Sequence, residues 1–409
     1  MRKRSAGPLV AFAVAAALAG GEAAATAPPS GHAAAYGIDD WPTHVVLADG
    51  SDLGLSAQYQ FDTNRFSGDR LPDGSDRFAD ETANRRKELG FYLRKKGVYD
   101  LGSVYDFWNK QWLDTYARVQ SKALFGVDYG AFRIGYTKTP VGFEGVTSSR
   151  ATSFLETALP VQAFYENRRT GVDWALERPR YLVNLGYYFG QDLQGDNDGT
   201  TVGGRFAVTP LKAAGQVLHL GVSASRESPD ASTDGRGRRN LPSIRPRARP
   251  EAGLTPVRLV DTGNLGDVDT IDRLGLEALW IDGPWSVQGE LLTLAVERNR
   301  GLPDFRGHGY YVFGSWIVTG ESRPYSGGNS GNVKPKGRWG ALEWLLRYSA
   351  VDLDDGTIRG GRQHDWTLGA NWYLTPYFKF QANYVKAASR RQGLDLDPAV
   401  FQLRAQVFF

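Results

Sequence analysis

Apolar and polar residues alternate with a period of two in segment after segment of this chain, from about residue 53 to its last residue. The final segment shows it most plainly. Phe401, Leu403, Ala405, Val407 and Phe409 fall on one side of an extended chain, and Gln402, Arg404 and Gln406 on the other. FKFQANY from Phe378, WTLGANWYL from Trp366 and RLGLEALW from Arg273 divide in the same way. A helix would repeat every ~3.6 residues, so these are strands with one face in apolar and one in polar surroundings. A soluble sandwich gives the same local signal. Here, however, the pattern runs on without the linkers that would separate several sandwiches. The apolar faces carry Trp, Tyr and Phe near strand ends, and the chain stops on an aromatic residue in register with its last apolar face.

These features predict an all-β fold, a transmembrane antiparallel β-barrel. After the N-terminal segment no run of about eighteen apolar residues appears, which excludes spanning helices. A barrel strand needs only about ten residues with every second one apolar, so a mean hydropathy of −0.39 fits. The alternation places about sixteen strands, near 53–62, 85–95, 98–107, 112–121, 131–140, 169–177, 180–189, 201–209, 217–226, 269–281, 284–297, 307–320, 338–351, 363–373, 378–388 and 400–409. Tight connectors at 178–179, 282–284 and 375–377 read as periplasmic turns. Long ones at 64–84, 141–168, 228–268 and 389–399 read as external loops. Segment 321–337 is long where parity requires a short turn, so either a strand is miscounted there or that periplasmic connection is extended.

The N-terminus opens Arg2-Lys3-Arg4, followed by an apolar stretch at 9–19 and then small residues. That is the pattern of a secretory signal peptide, 1–25, with cleavage as late as 35. A periplasmic segment, 26–50, and the barrel, 51–409, would follow. There is no cysteine, no GxSxG, HExxH or P-loop, and the five His lack metal-ligand spacing. No catalytic residue, cofactor or metal site is expected, and the chain does not read as an enzyme. His219 lies on a strand, as a lumen or interface residue. A net charge of +3 is too balanced to suggest a nucleic-acid partner.

The facing rule then sorts the charges. With Leu89, Phe91 and Leu93 outward, Arg86, Glu88, Tyr92 and Arg94 point inward. With Leu113, Ala117 and Val119 outward, Asp114, Tyr116 and Arg118 point inward. Phe132, Ile134 and Tyr136 outward put Arg133 inside, and Arg273, Arg347 and Arg404 also fall on inward faces. A cation facing lipid at the midplane costs ~2–4 kcal/mol, which enforces this sorting. The clusters Arg85-Arg86 and Arg168-Arg169 suit oxyanions, because guanidinium offers forked donors and stays charged. A ring of basic side chains in a narrow pore selects anions. The alternatives are a general porin with a lumen of mixed charge and no strong preference, and a barrel enzyme or adhesin with a plugged lumen. Segment 141–168 is apolar for a surface loop and reads as one folded into the lumen, carrying Arg150 to a constriction. The alternative is an external cap on neighbouring loops or on another subunit. The basic run 236–249 reads as an electrostatic funnel for anions or a site for lipopolysaccharide.

Several stretches resemble the phosphate-selective porin O/P family. They are Arg85-Arg86 at a strand start, GYTKTPVGFEGVTSSRATSFLETALP (135–160), ENRRTGVDW (166–174), ARPEAGLTPVRLVDTGNL (248–265), LGLEALWIDGPWSVQGEL (274–291), GYYVFGSWIVTGESRPY (309–325), DWTLGANWYLTPYFKFQANYV (365–385) and FQLRAQVFF. The resemblance implies a sixteen-strand homotrimeric barrel in the Gram-negative outer membrane, with a basic lumen that passes phosphate or polyphosphate. It assigns Arg85, Arg86, Asp114 and Lys138 to the anion path; parity alone puts Lys138 outward, so a bulge at Pro140 is needed to bring it in. Glu88, two residues past Arg86, would weaken phosphate affinity. The aromatic terminal strand resembles the signal read by the barrel-assembly machinery.

Overall fold

The computed structural model describes residues 44–70, 73–190, 192–195 and 197–409. The expected signal peptide, 1–25, and most of the 26–50 segment lie outside them; within that segment His44–Val46 pairs with Asp52–Gly54.

Sixteen long strands form: β1 Asp52–Ser67, β2 Glu81–Lys95, β3 Tyr99–Asp106, β4 Gln111–Gln120, β5 Ala131–Lys138, β6 Arg168–Arg178, β7 Tyr181–Phe189, β8 Gly199–Ala213, β9 Gln216–Pro229, β10 Val268–Asp282, β11 Trp285–Arg298, β12 Phe305–Ile317, β13 Ala341–Asp355, β14 Ile358–Tyr373, β15 Phe378–Arg391 and β16 Ala399–Phe408. Each pairs antiparallel with its successor. β1 pairs with β16 from Gln58↔Phe408 to Ser67↔Ala399, which closes the ring. Closure satisfies every main-chain donor and acceptor that an edge would expose to lipid.

Each expected strand is present, but several run further than the alternation suggested. β1 reaches Ser67 and β2 begins at Glu81, so the loop placed at 64–84 shrinks to 68–80. β15 continues to Arg391, and Leu394–Leu396 pairs back on it. Above the hydrocarbon both faces of a hairpin meet water, so the ladder continues after the apolar alternation has stopped.

The outward face is apolar as expected, with Leu89, Phe91, Phe132 and Ile134 exposed. Tyr136 departs from its predicted exposure and is buried. It pairs with Thr170, whose N–H donates to Asp192 Oδ1 at 2.6 Å, while Gln194 Nε2 reaches Trp112 O at 3.0 Å. Asp192 and Gln194 of the β7–β8 connection thus lie against the wall at this point.

Segment 321–337 is an extended connection and not a missed strand. It joins β12 to β13 at the end of the barrel where β1 starts and β16 finishes, and turns back inside. Val333 packs on Ile317, Ala341 and Tyr373. Arg323 is buried against Glu343 and donates to Ser153 Oγ at 3.0 Å. Its tip is a two-residue hairpin, Tyr325–Ser326 with Asn329–Ser330, turned by Gly327 and Gly328 at φ 56° and 73°. Such a turn needs positive φ at both centres, hence the glycine pair.

Two external connections fill much of the interior. Residues 139–167, with the short helix α1 at Leu159–Phe164, and residues 230–267 pack on the inward side of β10–β13. Phe154, Leu159 and Phe164 meet Leu292, Phe305, Phe313 and Leu345 in a single dry cluster that also takes Ala248 and Val260. This half of the barrel is sealed. The open volume lies along β1–β8.

Candidate functional site

Two cavities line that open side. The larger, about 850 Å³, runs along β2–β4 against segment 139–167. The smaller, about 390 Å³, lies toward the termini between β4 and β8. Asp114, Tyr116, Lys138 and Val146 line both, so the two spaces adjoin at this group.

Bulges build the larger cavity. Gln60 pairs with Arg86 but the next residue, Phe61, pairs with Asn84. Arg85 is therefore an extra residue in β2. Adjacent strand residues normally face opposite ways, and a bulge cancels that alternation once. Both arginines consequently line the cavity. A second shift occurs where Ser103 pairs with Thr115 and Tyr105 with Trp112, leaving Leu113 and Asp114 opposite Val104. Leu113, expected to face outward, is thereby turned in, and with Asp114 it reaches the cavity.

The cations sit in defined company. Arg85 Nε lies 3.1 Å from Glu156 and Arg86 Nη1 3.2 Å from Glu88. Arg168 holds Asp114 in a fork at 3.0 and 3.3 Å. Arg133 pairs with Asp173 at 2.8 Å and lines the smaller cavity. Lys138 enters without the bulge required at Pro140: its pairing with β6 runs unshifted to Lys138↔Arg168. It is the last residue of β5, where the ladder no longer fixes its direction. Its ammonium donates to Gly145 O at 2.9 Å and Thr147 O at 2.6 Å of the inward segment. Arg150 spans from that segment to the main-chain oxygen of Phe409 at 2.9 Å and to Ser56 Oγ at 2.7 Å. Arg169 lies elsewhere. It is fully buried between Glu166 at 3.0 Å and Asp192 at 3.2 Å and lines neither cavity. Arg347, Arg404 and Arg273 face inward as expected but are sealed in ion pairs beneath the loops.

The structure adds residues to this set. Arg94 and Arg249 line the larger cavity, Arg118 and Arg205 the smaller. Parity already placed Arg94 and Arg118 inward; Arg249 closes the basic run 236–249, and only the burial of its neighbour Ala248 under α1 shows which way it turns. Two carboxylates of the inward segment also escaped the sequence reading. Glu144 is pushed up to about 7 by burial, with Arg347 opposing. Burial acts on Glu156 in the same direction, but Arg85, Arg404 and Arg86 outweigh it and hold the carboxyl at about 2. Among the described residues no group of His, Asp and Glu is arranged to hold a metal ion.

A closed antiparallel ring of sixteen strands with lipid-type residues outside and a charged, loop-narrowed interior defines a porin of the Gram-negative outer membrane. Solved structures share this fold. OmpT of Vibrio cholerae superposes with a TM-score of 0.57 at 10% identity, covering 89% of this chain and 100% of that one. An anion-selective porin from Comamonas acidovorans gives 0.52 at 14%, covering 88% and 100%. Within this class the chain belongs to the family of phosphate-selective porins O and P, whose model matches residues 53–409. Porin O of Pseudomonas aeruginosa is 31% identical over 225 residues, 47% of this chain and 49% of that protein. An uncharacterized protein of Caulobacter vibrioides is 30% identical over 257 residues, 58% of this chain and 50% of that one. The chain spans about half the length of these curated relatives.

Proposed function

We propose that the barrel is a passive diffusion channel that favours anions, phosphate or polyphosphate foremost, and performs no chemical step. The observation that carries this reading is the balance of charge on the larger cavity, whose wall has seven Arg and Lys side chains against three Asp and Glu. An anion entering there exchanges water for guanidinium and ammonium donors. Lys138 and Arg249 make their polar contacts to main-chain carbonyls, so a passing ion need displace no carboxylate hydrogen-bonded to either. Arg86 and Arg168 each share a carboxylate, Glu88 and Asp114. An anion must compete with that carboxylate, and is displaced by it in turn. Such sites are moderate and several, which conduction requires.

The same pairs, with Arg133 on Asp173, favour a second reading: a mixed-charge general porin. In this proposal the barrel acts as a homotrimer inserted through its terminal strand by the assembly machinery. The run 236–249 faces incoming anions or lipopolysaccharide.

Reversal potential in a planar bilayer under a potassium chloride gradient separates the readings. The expected sign is that of chloride preference, with phosphate blocking the chloride current. Arg86→Ala and Lys138→Ala should each raise the blocking concentration about tenfold, the worth of one charge-assisted hydrogen bond. A cation-favouring potential, or a block unmoved in both variants, overturns the proposal.

A further inference from the structure

On the lipid side of the wall, Trp285, Trp316 and Trp344 are direct partners across β11, β12 and β13. Trp285 and Trp316 stack with ring centroids 5.1 Å apart. A row of indoles of this kind marks the membrane–water interface. The same row continues on β14 and β15, but as Ala370 and Ala382. One row nearer the periplasm, Trp372 and Phe380 are followed by Ala405. The three alanines open a groove of about 410 Å³ in the outward face, with an almost wholly apolar lining.

The periplasmic end of the groove is tied to the β12–β13 connection. Trp372 Nε1 donates to Trp339 O at 2.8 Å. Trp339 is itself 73% exposed, and the Arg338 guanidinium lies 5.0 Å from its ring centre. Lys334 and Lys336 are exposed on the same connection. Its nearby carboxylate, Glu321, is buried and accepts from Thr319 and from the Lys336 N–H. An apolar slot in the hydrocarbon zone is therefore tied, through Trp372, to a connection that carries an exposed indole and three exposed cations.

We propose that this groove seats an acyl chain of an anionic phospholipid of the periplasmic leaflet, with the headgroup phosphate on Arg338, Lys336 and Lys334. Apolar filling supplies the acyl contact, and Trp339 sits at the level of the glycerol, where indoles concentrate. The cations supply the preference for negative headgroups. Position excludes lipopolysaccharide, because the groove opens at the end of the barrel with the short turns, beside 374–377 and opposite the long external loops. A second copy of this chain would cover the alanines but bring no phosphate to Arg338.

The test is native mass spectrometry of the purified, detergent-folded protein offered equal phosphatidylglycerol and phosphatidylcholine. The wild type should retain phosphatidylglycerol in excess. Ala370→Trp with Ala382→Trp should abolish retention by filling the slot. Replacing Lys334, Lys336 and Arg338 by Ala should leave acyl binding but cut the headgroup preference about fivefold per charge removed. These three lie on an exposed connection, so their loss tests the idea even where the tryptophan variant folds poorly. Single-channel conductance of the Ala370→Trp, Ala382→Trp variant should stay at the wild-type value, since both positions face outward. Equal retention of the two lipids by the wild type overturns the proposal. So does undiminished retention by the filled variant, or a changed oligomeric state in that variant with lipid retention intact, which would give the face to a second copy.

Discussion

Arg347 offers the sharpest test of how the interior is held. It lies on β13 without exposed surface. Its guanidinium reaches Glu251 at 2.6 Å, Glu144 at 3.3 Å and the Glu156 main-chain oxygen at 3.0 Å, and sits 4.1 Å from the centre of the Phe154 ring. Glu144 and Glu156 belong to segment 139–167, Glu251 to segment 230–267, so one wall arginine clamps both inward loops. Arg347→Met keeps the bulk against Phe154 and removes the charge. Glu144 and Glu251 then stay buried without their cation, a situation that costs ~3–5 kcal/mol. The main-chain ladder through β12, β13 and β14 is untouched, so the cost falls on loop seating and not on the wall. That energy corresponds to roughly two to four orders of magnitude in the ratio of seated to released loop. Chymotrypsin should cut at Phe154 or Phe164 in the folded variant and spare the wild type, and single channels should become larger and noisier. Adding Glu144→Gln and Glu251→Gln should restore protection, because no charge is then stranded. A single Arg347→Met variant that stays resistant, with steady wild-type conductance, would refute the reasoning.

Two further outcomes follow, one from segment 139–167 and one from the β12–β13 connection. Glu144, raised to about 7 from 4.5, favours the seated loop below pH 4.5 and loses that contribution as pH rises through 7. Glu156, lowered to about 2, contributes fully above pH 4.5 and loses its contribution as pH falls toward 2. Open-channel noise should therefore be least around pH 4.5 and rise on either side, with Glu144→Gln removing the alkaline limb; a flat profile contradicts the assignment. Gly328→Ala should unseat the periplasmic hairpin. The new Cβ would lie 2.4 Å from a Leu182 carbon, at a φ of 73° that L-residues avoid at ~1–2 kcal/mol. Arg205 then loses the Gly328 carbonyl it holds at 2.7 Å, and conductance should increase; an unchanged value would place the hairpin outside the current path.

The barrel was readable in the sequence because lipid on one side and water on the other impose a period of two on every strand. What escaped is whatever breaks that period or depends on contacts far apart in the chain. Arg85 and Arg86 share a face only because β2 carries a bulge, and nothing in RRKEL marks its place. Lys138 turns inward because its strand ends there and the carbonyls of Gly145 and Thr147 await it. Arg169 looks like Arg168 in the sequence, yet only Arg168 meets the cavity, because Asp192 and Glu166 bury the other. The apolar inward residues of β11–β13, such as Leu292 and Phe313, make sense only once Phe154 and Phe164 are seen covering them. The odd length of 321–337 was visible, but not that it would turn inside.

The grip of Arg150 has a bearing on biogenesis. Its two partners, Ser56 and Phe409, come from opposite ends of the chain, and they become neighbours only along the seam where the first and last strands zip together. A nascent sheet that has yet to curl shut offers this guanidinium one ligand at most. The inward segment is thus tied to both strands of the seam only once the ring is closed.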